Sequence, residues 1–146
     1  KGDEAADGSY VYQTLPVKKD EGDYSVEVTG FIRNASSAYT KVLITVENDG
    51  DDYIQLVPSK STLKVDGEDV SLCKILSKWD NSWSTGDIFK TDENDGKKDG
   101  YVSFELCDED YKKMDLTLMV KNNTTGEEKY VTFHFIEKGN TKTTDD

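Results

Sequence analysis

The chain has 146 residues, of which 34% are hydrophobic and 33% charged, enough for one domain with an economical apolar core. Its 18 Lys and Arg stand against 30 Asp and Glu, for a net charge of −12. That balance disfavours nucleic acid and anionic membrane surfaces, which are gripped through Lys and Arg, and no apolar run approaches the roughly 20 residues that span a bilayer.

Residues 1–9 are polar and read as a tether. The chain opens Lys1-Gly2-Asp3 without a Met, as a trimmed or mature piece does, and a leader or a lipid-bearing Cys upstream would suit such a tether. Alternating apolar and polar residues then predict strands near 10–15, 24–33, 41–48, 53–57, 61–66, 70–76, 101–107, 115–121 and 129–136. In 24–33, Tyr24, Val26, Val28 and Ile32 share one phase, and Gly30 marks a bulge or kink. In 41–48 the apolar face is Val42, Ile44 and Val46, and Asn48-Asp49-Gly50 turns the chain. Pro58, which has no N–H for a ladder, is expected to end the strand before it. Asp66-Gly67 reads as the tight turn of a hairpin. Residues 77–100 form the longest irregular stretch. The late strands alternate cleanly, with Val102, Phe104 and Leu106, then Leu116, Leu118 and Val120, then Val131, Phe133 and Phe135 on one phase. Residues 137–146 read as a polar tail. The domain therefore runs 10–136.

Period two with turns about every ten residues predicts an all-β, antiparallel two-sheet sandwich of about nine strands. The opposite phase, with Lys41, Thr45, Glu47, Ser103, Glu105, Thr117 and Lys121, is expected to face water.

Candidate chemistry is sparse. Trp79 and Trp83, with Asp80 and Asn81 between them, put two indoles beside a carboxylate and an amide. Such a group either grips a sugar or a partner protein, or folds back to close the open end of the core; the second is the more economical use of two large rings. The single His134 lies between Phe133 and Phe135 and points away from their face; catalysis would need a carboxylate and a hydroxyl within its reach inside a pocket. Asp92-Glu93-Asn94-Asp95-Gly96 offers oxygen ligands but places Lys97 where a calcium loop needs Gly. Cys73 and Cys107 either pair, if the chain is exported, or remain buried thiols. No cofactor, metal cluster or phosphate loop is indicated. Tyr111, just before a strand, is expected to be structural.

Lys41 to Asp51, with its Val-Glu-Asn ending and Gly/Asp turn, then Gly100-Tyr101-Val102-Ser103-Phe104-Glu105-Leu106 and Met114-Asp115-Leu116-Thr117-Leu118, resemble the immunoglobulin-like sandwich domains of exported Gram-positive lipoproteins related to the mycobacterial immunoprotective extracellular antigen. The likeness runs over roughly residues 24 to 136 and implies an immunoglobulin-like fold, export and a lipid anchor, with no catalytic residues to carry over. The long 77–100 segment with its two Trp departs from that pattern. The expectation is a monomeric, non-enzymatic domain in the cell envelope or outside it, binding a protein or glycan. The alternatives are a structural spacer, or a carbohydrate-binding module using Trp79 and Trp83.

Overall fold

A computed structural model describes residues 15–36, 38–70, 96–107 and 110–136 and the backbone of 141–144. Every strand the pattern placed after residue 23 and within these residues is found, and the result is the expected all-β sandwich. The elements are β1 (Val17–Asp20), β2 (Tyr24–Asn34), β3 (Tyr39–Asn48), β4 (Ile54–Val65), β5 (Glu68–Val70), β6 (Lys97–Glu105), β7 (Lys113–Asn122), β8 (Glu128–Ile136) and β9 (Thr141–Thr144). One sheet runs β1-β2-β3-β6, with β9 parallel to the later half of β2. The other runs β5-β4-β7-β8 and is antiparallel throughout. No helix among the described residues is long and apolar enough to cross a membrane.

The strands differ from the expected ones in three respects. First, 53–57 and 61–66 are one strand. The β4–β7 pairing is interrupted between Val57 and Thr62, so Pro58 sits in a bulge where no ladder N–H is required, and the strand passes through it. Second, β2 shifts register between Val28 and Gly30 against β3. The extra residue reverses the phase, so Phe31 rather than Ile32 enters the core. Third, Ser103, expected in water, is only 2% exposed. Two short strands were not anticipated: β1, and β9 within the stretch read as a tail. Both lie on one edge of β2, β1 along Ser25–Val28 and β9 along Phe31–Asn34. The predicted strand 10–15 lies almost entirely outside the described residues, as does all of 70–76 beyond Val70.

The core lies between the sheets. Val42, Phe104, Leu118 and Phe133, which the alternation turned inward, are fully buried there with Val26, Val46, Leu56 and Leu116. Phe31 of one sheet meets Phe135 of the other edge to face, with ring centroids 5.0 Å apart and planes at 81°, a geometry worth about 0.5–1.5 kcal/mol beyond area burial. Tyr111 is buried in the same cluster, in keeping with a structural role.

The end of the sandwich at the β3–β4 turn is tied by its polar residues. The Asn48 amide donates to the Asp52 carbonyl at 2.7 Å, and the Asn122 amide donates to the Asp52 carboxylate at 2.8 Å. A Cβ on Gly50 would stand 2.6 Å from the Asp23 Cβ, so this turn admits no side chain there. Asp52 thus ties the β3–β4 turn to the end of β7.

Candidate functional site

The outer face of the β1-β2-β3-β6 sheet carries an open cleft. Its position follows from the β2 bulge, which sets Thr29 outside the ladder and brings Gly30 opposite Leu43. A Cβ on Gly30 would approach Leu43 Cδ1 to 3.3 Å, so glycine makes the space into which the leucine settles. Leu43 pairs across β6 with Tyr101, and Thr45 pairs with Asp99. Thr29, Leu43, Thr45, Asp99 and Tyr101, with backbone from Ile44 and Gly100, line this open cleft of about 430 Å³, within the range of small-molecule sites.

Two interactions fix the walls. The Thr45 hydroxyl donates to the Asp99 carboxylate at 2.6 Å, a short charge-assisted bond. The Lys41 ammonium lies 4.3 Å from the Tyr101 ring centroid and 5.4 Å from that of Tyr39, so one cation bridges two rings. The Thr29 hydroxyl leans on the Leu43 carbonyl at 3.4 Å. The result is an apolar wall of Tyr101 and Leu43 facing hydroxyls and one carboxylate.

His134 and Asp115 are register partners on the outer face of the other sheet, with Nδ1 and Oδ1 2.7 Å apart. The orientation away from Phe133 and Phe135 is as the alternation required, and a carboxylate is in place. The pair lies outside the residues that line the cleft. Beside it on that face, the Thr117 and Thr132 hydroxyls bond one another at 3.2 Å across the same two strands.

Trp79, Asp80, Asn81 and Trp83 lie outside the described residues, as do Cys73 and Asp92–Asp95. Cys107 is buried, and its surroundings are specific. Its N–H donates to the Thr40 hydroxyl at 3.0 Å, that hydroxyl contacts its Sγ at 3.2 Å, and the Arg33 Nε donates to its carbonyl at 2.7 Å. Whether it pairs with Cys73 lies beyond the described residues. The cleft residues were not singled out in the sequence, because their meeting depends on register across β2, β3 and β6. The one local signal was glycine at 30 and at 100 within strands, which marks places where something approaches the backbone.

No family model matches the chain, and no curated protein does. Among solved structures, the "putative lipoprotein (ycdA)" of Bacillus subtilis superposes with a TM-score of 0.55 at 19% identity, over 83% of this chain. This chain spans 38% of that protein's length. At that identity the likeness is one of fold.

Proposed function

We propose that this chain is a non-enzymatic binding domain of the cell envelope, exported and held by a lipid anchor, that takes its ligand on the outer face of the five-stranded sheet. The observation that carries the reading is the cleft walled by Tyr101 and Leu43 and edged by Asp99, Thr45 and Thr29. It is preorganised by bonds within the sheet, as a binding surface on rigid strands should be. The fold shared with a protein described as a "putative lipoprotein" supports the envelope location, and so does the resemblance to the exported antigen-type domains. Monomeric action on a protein or glycan ligand belongs to the same reading.

The test is titration of the isotope-labelled chain with solubilised fractions of a Gram-positive envelope, followed by amide resonances. Perturbation gathered on Thr29, Leu43, Thr45 and Tyr101 is expected. No perturbation with any fraction would favour a structural spacer. Perturbation at His134 and Asp115 with new products in the mixture would favour a hydrolase.

A further inference from the structure

We propose that the cleft on the β2-β3-β6 face takes an uncharged carbohydrate ring; this rests on the binding role proposed above and names its ligand class. A pyranose is amphipathic in a particular way, with an apolar C–H face and a rim of hydroxyls that both donate and accept. The cleft is divided likewise. Tyr101 and Leu43 offer an apolar wall, while Asp99, Thr45 and Thr29 supply acceptors and hydroxyls along its other side. A carboxylate has about four lone-pair sites, so Asp99 can accept from ring hydroxyls while holding the Thr45 hydroxyl.

Charge decides against an ionic ligand. The chain carries a net −12, yet this face carries both signs. The outward positions around the cleft place Asp20, Glu27, Glu47 and Asp99 among Lys18, Lys41 and Lys97, which the pairing of β1, β2, β3 and β6 interleaves. Lys18 and Glu47 approach to 3.8 Å, and Lys41 is engaged by the two tyrosine rings. Neither an anion nor a cation meets a one-signed field here, whereas a neutral polyol meets matched groups. Preorganisation favours the same ligand: the Lys41 contact holds the Tyr101 ring, and the Thr45 bond holds the Asp99 carboxylate, before anything binds.

The experiment uses the full chain, isotope-labelled, titrated with chitotriose, cellotriose and maltotriose at about 0.05 M and about 0.5 M salt. At least one trisaccharide is expected to shift the amides of Thr29, Leu43, Thr45 and Asp99–Tyr101, with an affinity that changes less than about twofold between the two salt levels. Tyr101→Ala should weaken it about tenfold or more. Asp99→Ala, at an exposed position, should weaken it without disturbing the fold. Tyr130→Ala, on the other sheet and 55% exposed, should leave it unchanged. Tetralysine and tetraglutamate serve as charged probes. If either shifts the cleft amides and no trisaccharide does, the carbohydrate assignment falls and the binding face stands. If the trisaccharides shift only residues elsewhere, or shift nothing, the carbohydrate assignment falls; silence of the cleft to every probe and to the envelope fractions removes the binding face as well.

Discussion

Two buried hydroxyls on β3 and β6 differ in what they bond, and their removal has opposite consequences. Thr40 is fully buried, and its hydroxyl takes the Cys107 N–H at 3.0 Å. Thr40→Val keeps the shape but strips that acceptor from a buried donor, so stability should fall by about 1–3 kcal/mol, read as a lower urea midpoint at unchanged slope. Ser103 is also buried, but its Oγ has no hydrogen-bond partner among the described residues. A buried hydroxyl without a partner is a burden on the folded state. Ser103→Ala should therefore leave the midpoint unchanged or raise stability by about 1 kcal/mol. A loss comparable to that of Thr40→Val would show that the Ser103 hydroxyl is satisfied after all.

Among the elements, the β4–β5 hairpin shows how a turn can also fix a neighbouring strand. Asp66 and Gly67 both have positive φ, 52° and 87°, as a two-residue hairpin turn that follows strand twist requires. The Asp66 carboxylate accepts from the N–H groups of Lys112 and Lys113 at 2.8 and 3.0 Å, and its own N–H donates to the Lys113 carbonyl. Asp66→Ala combines a left-handed backbone without a helping side chain and two lost hydrogen bonds to one carboxylate oxygen, and should cost about 2 kcal/mol. Asp66→Asn, which tolerates that backbone and keeps one oxygen, should cost less than half of this. Amide exchange at Lys112 and Lys113 should rise in the Ala variant before the core is affected; uniform change across β7 would count against the link. The hairpin was legible because Asp-Gly between alternating runs needs no tertiary information. The passage of β4 through Pro58 was not, since whether a proline ends a strand depends on what its missing N–H would have faced. β1 and β9 were illegible for a related reason. VKKD offers a single apolar residue, Val17, and TKTT none, too few to show an alternating face, and both take their ladder from the edge of β2.

For the whole molecule, sequence alternation was enough to find the layers, because inward and outward phases are a property of each strand alone. It could not find the cleft, because Leu43 meets Tyr101 only through the β3–β6 register, and Thr29 reaches Leu43 only through a bulge. The same limit concealed how the two sheets are joined at their surface. Lys129 of β8 reaches Glu21, beyond β1 in the opposite sheet, at 2.8 Å. The hydrogen bond that Lys129 donates to Glu21, and then the charge of Glu21, raise the Lys129 pKa above its ordinary value. Tyr24, packed against the core nearby, is also raised, chiefly by burial of its hydroxyl and against the opposing pull of Lys129. Both folded groups therefore hold their protons more tightly than the unfolded chain does. Their contribution is complete below the unfolded values of about 10 and is lost as pH rises through the folded ones. The Lys129 side chain is half exposed, so its bridge contributes little in energy and the slope with pH is the informative quantity. The thermal midpoint should show no loss from these groups between about pH 7 and 9 and should decline above about pH 10. Tyr24→Phe and Lys129→Met should each flatten that decline, and together they should flatten it further. An alkaline slope identical in the double variant would mean that the proton-linked joint between the sheets lies elsewhere.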